Sequence, residues 1–83
     1  MKIYKVNLSY DYYNVAGEYE NEEVELGYYS TIEKAKEFIQ EKGRKRAQEE
    51  RKRMEEYGVQ NMCIYITQIT LNSNKQEVIY TEV

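Results

Sequence analysis

Eighty-three residues with 12 Lys and Arg, 15 Asp and Glu, one cysteine and no histidine allow a single hydrophobic core and leave few groups for chemistry. The absent histidine removes the usual general base at neutral pH and the commonest ligand for zinc or copper, and one cysteine allows no intrachain disulfide. The formal charge of −3 argues against nucleic acid as the main partner, since phosphate binding normally comes with a basic surface.

From Lys2 to Tyr13 the chain alternates, with Tyr4, Val6, Leu8, Tyr10 and Tyr12 on one parity and Lys5, Asn7, Ser9 and Asp11 on the other. That pattern predicts a half-buried strand. Asn14 to Asn21 carries Gly17 and reads as a loop, and alternation resumes from Glu22 with Val24, Leu26 and Tyr28. Residues 1–29 therefore read as a hairpin with a long acidic loop.

Ser30-Thr31-Ile32-Glu33 fits a capping box with Ser30 as the cap, and Ile32, Ala35, Phe38 and Ile39 form an apolar stripe that can lie on the sheet. Helix is expected over 30–57 and stops at Gly58, with Gly43 marking either a kink or a break. Glu41–Lys45, Glu49–Arg53, Lys45–Glu49, Arg46–Glu50, Arg51–Glu55 and Lys52–Glu56 are opposite charges at four-residue spacing, the pattern of a solvated, ion-paired helix. Such a helix would be roughly 40 Å long, about twice the expected span of the strands.

Residues 61–83 read as a second hairpin turning at Asn72-Ser73-Asn74-Lys75. Met62, Ile64 and Ile66 share a face while Ile69 and Leu71 fall on the other, which suggests a bulge near Thr67-Gln68 or a strand buried on both faces. Cys63, between Met62 and Ile64, reads as a buried structural thiol. The whole is a single α+β domain over 1–83: an antiparallel sheet of about four strands, ββαββ, with the first strand inside the sheet and one long helix across it. The expected core is Tyr4, Val6, Leu8, Tyr10, Val24, Leu26, Ile32, Ala35, Phe38, Ile39, Ile64, Ile66 and Val78.

Three surfaces are candidates for function. Glu18, Glu20, Glu22, Glu23 and Glu25, with Tyr12, Tyr13 and Tyr19 nearby, form an acidic aromatic patch that suits a basic protein partner; its plainer role is to blunt an edge strand. Arg44, Lys45, Arg46, Arg51, Lys52 and Arg53 make two basic triplets, but four glutamates reduce 44–57 to +2, whereas 1–43 carries nine acids against five bases. Ala47, Met54 and Tyr57 form a narrow seam for self-association as a homodimer or for another helix. No pair of glutamates has a desolvated pocket to raise its pKa, and none of the acidic stretches has the spacing of a calcium loop. No catalytic residue, cofactor or metal site is expected, and the chain reads as non-enzymatic.

Ten tyrosines beside one Phe and no Trp, with abundant Lys, Ile and Asn, fit an AT-rich genome. The strand at Met1, the Gly27-Tyr28-Tyr29-Ser30-Thr31-Ile32-Glu33-Lys34-Ala35 strand-to-helix junction and the closing hairpin resemble the small orphan proteins of bacteriophages and mobile elements. These include anti-CRISPR-type inhibitors of bacterial immunity. The resemblance implies a phage-encoded inhibitor of a host defence or nucleic-acid enzyme and carries over no functional residue. Without an apolar run of about 18 residues or a signal core, the expected location is cytoplasmic, in the host if phage-encoded, with no membrane partner. A protein partner, host protein or second copy, is the favoured expectation. The alternative is a small nucleic-acid-binding protein using the basic residues 44–53.

Overall fold

The computed structural model describes Met1–Glu82; the expected hairpin end at Val83 lies outside the described residues. The elements are β1 (Lys2–Tyr13), β2 (Tyr19–Tyr29), a helix over residues 32–53, a short 3-10 turn (Glu55–Tyr57), β3 (Gln60–Thr70) and β4 (Lys75–Glu82). All strand pairs are antiparallel. As a statement of strand order ββαββ does not hold: β1 lies inside the sheet, the order is β2-β1-β3-β4, and the helix connects β2 to β3. The longest strand, β1, takes an inside position beside β3, where both its edges are hydrogen-bonded while one face is buried.

The alternation of β1 sends Val6, Leu8 and Tyr10 toward the helix, all at 0% exposure. Met62, Ile64 and Ile66 of β3 and Ala35 and Ile39 of the helix complete the buried core. Tyr4, Val24, Leu26, Ile32 and Phe38 are partly buried against it, as expected. Val78 is not part of the core and is 56% exposed. The reason is a register shift in β4, where Ile66 pairs with Tyr80 but Thr67 pairs with Val78. Ile79 is thus the extra residue, and Val78 shares the helix-free face with Thr67. The expected bulge at Thr67-Gln68 is absent from the β1–β3 ladder, which runs unbroken from Lys2–Thr70 to Ser9–Cys63. Ile69 sits opposite Ile3, and Leu71 lies beyond β3 and is exposed.

The helix is capped one residue later than expected. Thr31, not Ser30, is the N-cap, and its hydroxyl accepts the Lys34 N–H at 3.1 Å. The helix does not break at Gly43; Ile39–Gly43 is a π-helical segment, with the Arg44 N–H donating to the Ile39 carbonyl five residues back. Ala35, Ile39 and Gly43 are buried and Ala47 packs on the core, all at steps of four. In an ideal helix each such step drifts about 40° around the axis, and a wider turn takes up that drift and keeps the stripe on the sheet. The regular helix ends at Arg53, and Gly58, at φ 64°, provides the left-handed stop after the 3-10 turn.

The helix does not outrun its sheet. Twenty-two helical residues rise about 33 Å, while the 12 residues of β1 span about 41 Å. The surplus length that the sequence suggested came from underestimating the strands.

Candidate protein-binding surface

The helix covers one face of the sheet and leaves the other open. Pairing divides the acidic aromatic patch between them: Tyr12 with Glu20 and Tyr10 with Glu22 lie on the helix side, whereas Tyr13 with Tyr19, Ser9 with Glu23 and Asn7 with Glu25 lie on the open side. One patch on one surface is therefore a misreading. The loop is shorter than expected because β2 begins at Tyr19, so most of the glutamates occupy a strand and alternate with it. Glu18 stays in the turn, where its N–H donates to Asn14 Oδ1 at 3.0 Å; the Ala16 N–H donates to the same oxygen at 2.9 Å.

Tyr12 is not available as an exposed anchor. Its ring is half-buried between Tyr10, at 6.1 Å, and Tyr57, at 6.4 Å edge-on, and its hydroxyl donates to Glu20 at 3.0 Å. Tyr13 and Tyr19 differ from it. They stack edge-on at 5.1 Å on the open face and are 43% and 51% exposed.

A hydrogen-bond cluster holds this pair. Asp11 Oδ2 accepts from the Tyr19 hydroxyl and from Asn61 Nδ2, both at 2.9 Å, and Asp11 Oδ1 accepts from Asn21 Nδ2 at 3.0 Å. Bonds from Asn61, Asn21 and Tyr19 hold the Asp11 carboxyl below its ordinary value, because all three favour the charged form. Asn61 reaches Asp11 because the β1–β3 register slips between Ser9 and Asp11, and Asn61 takes a left-handed φ of 54° there. Sequence reasoning missed Asp11, Asn21 and Asn61. No spacing in the sequence marks them, although Asn61 is of a residue type that tolerates the left-handed backbone region it takes.

Lower on the open face, the Tyr65 hydroxyl donates to Glu23. Cys63 is half-buried there rather than buried, and burial followed by the nearby Asp11 and Glu23 charges pushes its thiol up, which disfavours the reactive thiolate.

The seam Ala47, Met54 and Tyr57 does not stand free. Ala47 and Met54 pack against the domain's own core, and Tyr57 leans on Tyr12. The expected four-residue ion pairs are also absent. Among the described residues the salt bridges are Arg44 with Glu82, at 2.7 Å, and Arg53 with Glu50. Glu50 faces inward at 7% exposure, accepting the Tyr10 hydroxyl at 3.1 Å and the Arg53 guanidinium. It cannot meet Arg46, which points toward β2 beside Leu26 and Phe38.

Burial and the Glu50 carboxylate push the Tyr10 hydroxyl up to about 12, and burial with Glu23 does the same for Tyr65. A phenol whose folded pKa lies above its unfolded value of about 10 stabilises the fold below pH 10, and that contribution is lost as pH rises through 12. Two of the ten tyrosines should therefore ionise last in a phenolate absorbance titration, together with the loss of circular dichroism. Uniform ionisation near pH 10 in an intact fold would contradict the buried placement of Tyr10.

Among the described residues no group of three acidic, cysteine or histidine side chains is placed to hold a metal ion, and no helix is long and apolar enough to cross a membrane. No protein-family model, curated protein or solved structure matches the chain.

Proposed function

We propose that this chain is a non-catalytic protein-binding module that docks a basic protein partner on the open face of the β1–β2 hairpin. The reading rests on Tyr13 and Tyr19, a half-exposed aromatic pair held by the Asp11–Asn21–Asn61 cluster with no helix over it. Such a pair offers rigid apolar area with little side-chain entropy left to lose, the usual make-up of a binding anchor. Glu23 and Glu25 on the same face favour a partner rich in Lys and Arg, and nucleic-acid enzymes present such surfaces. With the resemblance to phage orphan proteins, this makes an inhibitor of a host defence or nucleic-acid enzyme the reading we favour.

The test is capture of a partner from a bacterial lysate, followed by binding measurements on three variants. Tyr19→Ala should weaken binding by thirtyfold or more, the loss of about 2 kcal/mol typical of an anchor. Glu23→Lys with Glu25→Lys should slow association, and Glu20→Lys with Glu22→Lys, on the helix side, should have little effect. If the helix-side pair matters and Tyr19 does not, the open face is not the docking surface.

A further inference from the structure

The second half of the helix exposes several cations that no carboxylate holds. Between residues 42 and 53 there are seven cations and two carboxylates. Glu50 is withdrawn into the core and neutralised by Arg53, and Arg44 is held by Glu82 of β4. That leaves Lys42, Lys45, Arg46, Arg51 and Lys52 exposed with Glu49 among them, and Glu41, Glu55 and Glu56 exposed at the two ends of the stretch. Lys45 and Lys52 are two turns apart and stand opposite the buried stripe, with Arg46 flanking them on the β2 side and Arg51 on the β4 side.

We infer that this outward face of the helix contacts the phosphate backbone of a nucleic acid, without reading its bases. The decisive feature is what the face lacks. Between 42 and 53 every exposed side chain is charged or Gln, and Gly43 and Ala47 lie on the sheet side. A protein interface needs buried apolar or aromatic anchors, and none is present here. Phosphate contacts need only positive charge at suitable spacing, and they carry no sequence information. The overall charge of −3 does not oppose this, because charges further than about 10 Å from the face are screened by physiological salt, the hairpin carboxylates among them. The inference is independent of the hairpin's role, since it concerns a different surface and a different ligand.

The test is fluorescence anisotropy with a labelled oligo-dT, a mixed-sequence DNA duplex and an RNA of the same length. Binding at 50 mM salt is expected with little dependence on sequence. For about four phosphate contacts on duplex, affinity should fall roughly a hundredfold between 50 and 200 mM salt. The variant carrying Lys45→Gln, Arg46→Gln, Arg51→Gln and Lys52→Gln, with its circular dichroism and Tm checked against the parent, should lose binding. Glu77→Gln, at an exposed carboxylate of β4, should keep it. The salt slope of the unmodified protein stands as evidence whatever the fate of the fourfold variant. The proposal is overturned by binding that survives this variant or does not respond to salt. It is equally overturned by no binding at 50 mM salt with protein at about 10⁻⁴ M, the weak end of nonspecific affinity. Anionic vesicles, or a second copy detected by sedimentation, taking up the same residues while oligonucleotides do not would also overturn it.

Discussion

Leu8→Ala is expected to destabilise the protein by about 2–5 kcal/mol, through the lost transfer energy of the side chain and the cavity it leaves. Leu8 is at 0% exposure in the inner strand, paired with Val24 on one side and Ile64 on the other. A chain of this size has roughly 4–12 kcal/mol of stability, so the variant should sit near the edge of folding at ambient temperature. Val78→Ala is the matching control: at 56% exposure on the open face it should change stability by about 0.5 kcal/mol or less. Urea denaturation of both variants measures the contrast. Equal midpoints would mean that the sheet faces its helix with the wrong parity.

The strands of the first hairpin were readable because a half-buried strand writes its period into the sequence. Val6, Leu8 and Tyr10 alternate with polar residues, and all three are in the core. Val78 was misread for a complementary reason: a bulge shifts parity by one residue, and a single strand carries no mark of where its neighbour slips. Ile39–Gly43 is a milder case. The run of apolar and small residues at steps of four was visible, but a kink, a break and a π-helical turn all answer the same drift, and packing on the sheet decides among them.

For the candidate site, proximity in sequence misled where pairing decides. Tyr12 and Tyr13 are neighbours, yet one is held between Tyr10 and Tyr57 and the other faces away from the helix. Asp11, Asn21 and Asn61 come from three strands and meet only through the ladder, so spacing could not announce them. The helix charges were misjudged because four-residue spacing treats every residue as exposed. Glu50 has the spacing of a surface partner for Arg46, but its position on the buried stripe turns it toward Tyr10.

Glu50 also carries the other large expected effect. Glu50→Ala should cost about 2–4 kcal/mol, because it leaves the Tyr10 hydroxyl buried without an acceptor and opens a cavity beside it. Arg53 adds little to that cost, since its guanidinium is exposed and water can take over its bonds. Glu50→Gln retains a carbonyl acceptor for Tyr10 and should be much milder. Removing both polar ends distinguishes a needed hydrogen bond from a merely satisfied one. Tyr10→Phe alone deprives the buried carboxylate of a donor, whereas Tyr10→Phe with Glu50→Leu leaves two apolar side chains of similar shape in contact. Replacing a buried polar pair in this way is often neutral or stabilising. The double variant is therefore expected to be at least as stable as the parent, with a coupling energy above about 1 kcal/mol in the cycle built from Tyr10→Phe and Glu50→Leu. Single-variant losses that simply add would show that Tyr10 and Glu50 do not depend on one another. Glu50 would then have been drawn into the core by Arg53 and the course of the helix alone.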